Sequence, residues 1–286
     1  MDKDIRSRYL MKMISNVHTH TTWCDGVDTT RSMVERALKL GFTDLGFSSH
    51  SSTPFDVDCP GLSDEQAYIN DIRSLGMSYS GRINILCGLE LDSCSEKPTG
   101  TYDYIIGGCH EVCTPNQELF ILDDTPARIR AGIERFYSGD AMGMVRDYYA
   151  QFADFIRKAK PDIVAHFDLV VKYNRGSRFF DEDSPEYREL ALATLDDILD
   201  AVESYGGMIE VNTGAMARGV RDEPYPAPFL LRKLADRNTR MIITSDAHRA
   251  DLLSFGFDMA CRLLLDCGFK SMVVLRDGRF IYVPIQ

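Results

Sequence analysis

The 286 residues contain six histidines, and two of them, His18 and His20, stand one residue apart in "NVHTHTTWCDG", with Asp25 five positions after the second. A second compact pair, Asp246 and His248, closes "TSDAH". In an extended strand residues i and i+2 point the same way, so H-x-H presents two imidazoles to one ion and D-x-H presents a carboxylate and an imidazole. Mixed nitrogen and oxygen donors without thiolate suit Zn²⁺, Mn²⁺ or Fe²⁺. This set fits a metal cluster better than a nucleophilic triad.

Donors so far apart in the chain need a scaffold that gathers them. Short, apolar, β-branched runs recur as "MISNV", "TDLGF", "INILCGL", "YDYIIGG", "DIVAHF", "GMIEV" and "RMIITS", and they read as buried parallel strands. Between them lie helical segments with caps: Ser63 with Gln66 in a capping box, and Ser184-Pro185-Glu186 opening a long helix that ends near Gly206. Strand alternating with helix predicts a parallel sheet or a (β/α) barrel. On this map His18 and His20 end the first run and His50 follows the second. Glu90 ends the third, His110 follows the fourth, His166 ends the fifth, and Asp246 and His248 follow the last. Every histidine therefore falls at the C-terminal end of a strand, where α/β barrels build their sites. A lone histidine beside an apolar run is more often a core residue than a ligand, but six on one face favour ligation. More than four donors there imply more than one ion. Glu90 can bridge two ions with its two oxygens, and such a pair can share a hydroxide and clamp a phosphate.

Length and charge narrow the setting. One barrel domain spanning residues 1–286 is expected, and a net charge of −11 argues against neutralising a nucleic-acid backbone. The start, "MDKDIRSRYLMKMIS", shows neither a signal peptide nor a membrane span, so a cytoplasmic location is expected. Eight cysteines without a C-x-x-C pair read as reduced, mostly buried thiols, with a zinc role for Cys109 and Cys113 beside His110 the lesser alternative. Trp23 could wall a pocket or anchor its loop. The acidic "FFDEDSPE" (179–186) reads as a helix-start charge effect, and "LRDGRF" as a hairpin around Asp277-Gly278.

Taken together, "HTHTTWCDG", "SSH", "GLE", "GGCH", "AHFD" and "SDAH" resemble, in order, the motif series of the PHP superfamily, named for polymerase and histidinol phosphatase. The resemblance implies a distorted (β/α)7 TIM-like barrel with two or three divalent ions of zinc, manganese or iron. Carried onto this sequence, it implies that His18, His20, Glu90 and Asp246 hold one ion. Glu90, His110 and His166 hold a second, and Asp25, His50 and His248 a third. Within the superfamily the histidinol-phosphate phosphatase branch is the most similar, because the stretch from Phe120 to Gln151 resembles the helical excursion of that branch. "EVNTGAMARG" resembles its sixth-strand segment, in which an arginine, here Arg218, faces the substrate phosphate. The branch's basic pair after the fifth-strand histidine is reduced here to Lys172, with Arg175 a possible substitute.

The implied activity is hydrolysis of a small phosphorylated substrate, L-histidinol phosphate first, by a metal-bridging hydroxide, with no nucleic-acid or membrane partner. Arg218 can grip two phosphate oxygens and Lys172 can add a point charge, while Asp246 and Asp25 are the first candidates to relay the leaving-group proton. Another small ester, a nucleotide phosphodiester or a phosphotyrosyl peptide is the close variant. A non-catalytic metal-binding module is the alternative from another class, and the complete set of nine donors argues against it.

Overall fold

The computed structural model describes residues 15–285. Residues 1–14 and residue 286 fall outside it, so most of the segment expected to lack a leader lies outside the described residues, as does the start of the first expected strand.

The seven runs become parallel strands: β1 (Ser15–Asn16), β2 (Asp44–Phe47), β3 (Asn84–Asp92) and β4 (Tyr104–Gly108) come first. A small hairpin, β5 (Glu111–Cys113) with β6 (Leu119–Ile121), interrupts the series before β7 (Ile163–Val164), β8 (Met208–Asn212) and β9 (Met241–Thr244). Strands β10 (Ser271–Arg276) and β11 (Arg279–Pro284) form the expected antiparallel hairpin around Asp277-Gly278. The sheet runs β1-β2-β3-β4-β7-β8-β9-β10-β11. Beyond the ends of β1 and β9, Ala247 N donates to His18 O (3.1 Å) and His20 N to Ala247 O (2.9 Å). The chain ends of the parallel series therefore meet where the histidines stand.

Helices α1 (Thr30–Leu40) and α2 (Glu65–Ser78) follow β1 and β2. Asp64, not Ser63, caps α2 by accepting from Ala67 N at 2.9 Å. The capping-box expectation was one residue early, because a carboxylate beside the helix start is as good an acceptor as the hydroxyl before it. The excursion between β4 and β7 is helical as expected, α3 (Pro126–Tyr137) and α4 (Ala141–Ala159), but it opens with the β5–β6 hairpin. Helix α5 (Pro185–Tyr205) has Ser184 at its N-cap and Gly206 in the left-handed conformation at its end, as read from the sequence. The short α6 (Gly214–Ala217), α7 (Pro228–Asp236) and α8 (Phe257–Cys267) complete the set.

Spacing decides what the helices bury. Tyr148, Tyr149, Phe152 and Ile156 recur at helical intervals on α4 and are fully buried, with the Tyr149 and Phe152 rings packed against Phe167 just beyond β7. Each fully buried large apolar side chain contributes roughly 1.5–3 kcal/mol, so this stripe fixes the excursion against the strand end that carries His166. No helix among the described residues is long and apolar enough to cross a membrane.

Candidate functional site: a carboxylate-bridged histidine cluster

The nine residues singled out by type and spacing converge at one end of the sheet. Glu90, near the C-terminal end of β3, is the hub. Its Oε2 lies 3.2 Å from His18 Nε2, 3.3 Å from His20 Nε2 and 3.0 Å from His50 Nδ1. Its Oε1 lies 2.9 Å from His166 Nε2 and 3.5 Å from His110 Nε2. Asp246 Oδ1 lies 3.2 Å from His20 Nε2 and 3.6 Å from His18 Nε2. Asp25 faces the outer side of the cluster, with Oδ2 2.9 Å from His248 Nε2 and Oδ1 3.7 Å from both His50 Nε2 and His20 Nδ1. His50 thus stands between Asp25 and Glu90, touching the central carboxylate as well as the outer group.

Two backbone features make room for this crowding. At Gly108, the end of β4, an added Cβ would sit 3.1 Å from Glu90 Oε1 and from the Cε1 atoms of His110 and His166. Asp246 adopts φ +46°, in the left-handed region, which costs energy for a residue with a side chain.

The contacts bring together a set of atoms that could hold a cation. His18 Nε2, His20 Nε2, Glu90 Oε2 and Asp246 Oδ1 are sealed from solvent and have no hydrogen-bond partner. Buried polar atoms are nearly always satisfied, and four such atoms converging on one point are a donor set that a metal ion would satisfy together. Burial alone would push the Glu90 carboxyl up, but the His50, His18 and His110 imidazoles hold it well below the usual carboxylate range. Burial, with the His248 and His50 rings alongside, brings His20 down to about 3, so its imidazole is neutral and free to ligate.

Two carboxylates that the sequence reading passed over orient the rings. Glu210 in β8 is fully buried; its Oε2 accepts from His18 Nδ1 and Thr244 Oγ1, and its Oε1 from His166 N and Asn212 Nδ2, each at 2.8 Å. Asp92 Oδ2 accepts from His110 Nδ1 (3.0 Å) and His110 N (3.1 Å). Each holds the ring proton on Nδ1 and leaves Nε2 to face the cluster. Replacing Glu210 with Gln is expected to weaken divalent-metal affinity about 10–100-fold. Titration of the metal-stripped variant with Mn²⁺ or Zn²⁺ measures it, and an unchanged affinity would remove Glu210 from the metal's support.

A cavity of about 250 Å³ opens above the cluster. Arg218, just past α6, lines it, with Nη2 3.0 Å from Asp246 Oδ2 and Nη1 3.1 Å from His248 Nδ1. Lys172 lines it too, buried and ion-paired with Asp123. Asp123 is therefore a further residue of the cavity that the sequence reading did not name. Burial works against its charge, yet the Lys172 ammonium lowers its carboxyl to about 2. Arg175 is turned outward, paired with Asp222 at 2.8 Å on the surface. Trp23 is a loop anchor: its Nε1 donates to Asp71 Oδ2 at 2.8 Å and its ring meets Tyr68 edge-on. Cys109 and Cys113 join no cluster of potential ligands with His110 among the described residues. In 179–186, Glu182 pairs with Arg221 (2.8 Å) and Ser184 caps α5, so the acidic run is structural.

Comparison with known proteins agrees with this geometry. The chain is 30% identical over 274 residues to a protein of Deinococcus radiodurans named a probable histidinol-phosphatase, covering 92% of this chain and 96% of that protein. It is 25% identical over 270 residues to the histidinol-phosphatase of Bacillus subtilis, covering 84% of this chain and 96% of that one. Among solved structures, histidinol phosphate phosphatase from Lactococcus lactis, complexed with zinc, L-histidinol and phosphate, superposes with a TM-score of 0.68 at 19% identity, over 94% of this chain and 99% of that one. That likeness shows a common fold. The PHP domain matches residues 16–214, from the last residue of β1 to the start of α6, and the chain belongs to the PHP domain family.

Proposed function

We propose that this chain is a metal-dependent phosphomonoesterase that hydrolyses L-histidinol phosphate to L-histidinol and phosphate, a step of histidine biosynthesis, as one domain working in the cytoplasm. The observation that carries the chemistry is the convergence of unpartnered, buried donor atoms on Glu90, with Arg218 at the rim of the same cavity. The names of the relatives support the substrate, and eight unpaired cysteines suit a reducing compartment.

In this reading His18, His20, Glu90 and Asp246 hold one ion. Glu90, His110 and His166 hold a second, and Asp25, His50 and His248 a third. Bound divalent ions supply a nucleophilic hydroxide near neutral pH and positive charge for the phosphoryl oxygens. The protein's own groups do the rest. Arg218, held charged between Asp246 and Asp123, offers its planar N–H groups to two phosphate oxygens. Lys172 adds a positive field that its Asp123 partner tempers. Asp25, a third exposed at the cavity wall where Asp246 is almost fully buried, is the better placed of the two to pass a proton to the departing alkoxide.

Phosphate release by the metal-loaded protein across a panel of esters tests this. L-histidinol phosphate is expected to give the highest kcat/KM, ahead of p-nitrophenyl phosphate, bis(p-nitrophenyl) phosphate and mononucleotides. A nucleotide or diester outpacing it by a wide margin would return the chain to a PHP phosphoesterase of another substrate.

A further inference from the structure

Lys172 and Arg218, the cavity's only lysine and arginine among the described residues, ride on two different loops. Lys172 follows β7 at the end of a short helical turn (Leu169–Val171), in the stretch that leads to Ser184 at the start of α5. Arg218 stands in a loop that leaves β8 at Asn212 and returns to it at Tyr225, where Asn212 N donates to Tyr225 O (2.8 Å) and Tyr225 N to Asn212 O (3.0 Å). Arg221, further along that loop, reaches across to the other. Its Nη1 donates to Val171 O (3.0 Å), the carbonyl next to Lys172, and to Glu182 Oε1 (2.9 Å), while its Nη2 donates to Glu182 Oε2 (2.8 Å). Glu182 is held in turn by the fully buried Asn174. Asn174 Nδ2 donates to Glu182 Oε1 (2.9 Å) and Phe180 O (2.9 Å), and its Oδ1 accepts from Phe179 N (2.8 Å) and Phe180 N (3.2 Å). None of Arg221, Glu182 and Asn174 lines the cavity. The Arg221 and Glu182 side chains are only 12% and 25% exposed. Taking such a pair out of water costs much of what its attraction returns, so it is a poor device for stability alone. A two-pronged guanidinium–carboxylate contact does fix orientation.

We propose that Arg221, Glu182 and Asn174 are positioning residues for phosphate recognition: they clamp the loop of Arg218 to the loop of Lys172, so that the two cations meet a phosphate at a set separation. Asp168 makes a second tie nearer the strands, where its Oδ2 accepts from Ala227 N at 3.0 Å. Charged groups that grip a phosphate serve best when they are in place before it arrives, and a displacement of about 1 Å can cost on the order of 100-fold in rate. The acidic run before α5 thereby gains a task in the site, although none of its carboxylates lines the cavity. This rests on the reading of the cavity as a phosphomonoester site in which Arg218 and Lys172 face the phosphate.

Two variants test the clamp. Arg221→Lys keeps the charge but cannot span both Glu182 oxygens and Val171 O, and Glu182→Gln keeps the shape but removes the charge. Each is prepared metal-loaded, alone and combined with Arg218→Lys. Affinity for inorganic phosphate is measured by calorimetry, and kcat and KM for L-histidinol phosphate by phosphate release, all well below the melting temperature. Each single change is expected to weaken phosphate binding about tenfold and to raise KM by a similar factor, with metal content per chain equal to wild type. Placed on top of Arg218→Lys, the same change is expected to cost about threefold or less, because residues that act through one another are not additive. A merely structural role would lower the melting temperature and leave phosphate affinity where it was. Unchanged phosphate affinity in both variants therefore overturns the clamp, and so do losses that add in full to that of Arg218→Lys. Loss of an ion from either variant also overturns it, because the pair would then support the cluster instead. Where one variant fails to fold, the other decides. If the wild-type protein binds phosphate but releases it from no ester, the phosphomonoesterase reading fails, while the phosphate affinities still judge the clamp.

Discussion

Replacing Glu90 with Gln is expected to lower turnover by about three decades or more and to leave the protein short of metal. The carboxylate touches five imidazoles, three through one oxygen and two through the other. An amide keeps the shape but presents an N–H₂ to some of those rings and could not serve as the proposed bridge between two ions with anionic oxygens. Nucleophile generation and neutralisation of the phosphoryl oxygens would be lost together, and electrostatic contributions of this kind are the largest that enzymes use. The variant's fold is checked by circular dichroism and thermal melting, its metal by elemental analysis, and its rate by phosphate release. A folded, metal-replete variant with a near-normal rate would show that Glu90 is not the bridge.

Arg218→Lys is expected to lower kcat/KM about 10–100-fold on every phosphomonoester while metal content stays at the wild-type level. The contact proposed is with the phosphate, which all such substrates share, and a point ammonium cannot match a planar two-oxygen grip. One charge-assisted hydrogen bond is worth about 1.5–3 kcal/mol, which sets that range. The structure supplies a rival explanation that the same experiment resolves. Arg218 Nη2 is 3.0 Å from Asp246 Oδ2, so the guanidinium could act only by holding that carboxylate in place. In that case the substitution would reduce metal occupancy and spare the KM for phosphate esters.

The sheet and the nine-residue cluster were legible because both obey short periods. A two-residue alternation gives H-x-H and D-x-H, and apolar runs bounded by turns give strands whose ends fall at His50, His110 and His166. The supporting carboxylates obey the same alternation and were still missed. Glu210 and Asn212 share one face of β8, as Glu90 and Asp92 share one face of β3, yet inside "GMIEV" a glutamate looks like an interruption of an apolar run. The bonds Glu210 accepts, from His18 Nδ1 and His166 N in segments remote in sequence and from Asn212 and Thr244, show why burying that charge is tolerated. Lys172 illustrates the converse limit. Sequence gives it a positive charge near the substrate, but its partner Asp123 comes from the segment after β6 and is placed by the fold of the excursion. The β5–β6 hairpin itself escaped notice because three-residue strands carry too few alternations to register as a period.

The bonds that join the two ends of the parallel series bear on how the protein is made. Asn16 Nδ2 donates to Ser245 Oγ at 2.7 Å across 229 residues of chain, and Ala247 bonds on either side to His18 and His20. A nascent chain that has not yet released β9 carries the H-x-H pair but lacks Asp246, His248 and the backbone that holds His18 and His20 in register. The ions proposed to need Asp246 and His248 would therefore load only onto a completed scaffold, while the set of Glu90, His110 and His166 is already present in the chain before β9. Because ions that bind only the native state stabilise it by mass action, metal supply then acts as quality control on synthesis. A chain truncated before β9 would then be expected to stay short of those ions and more open to proteolysis than the full chain.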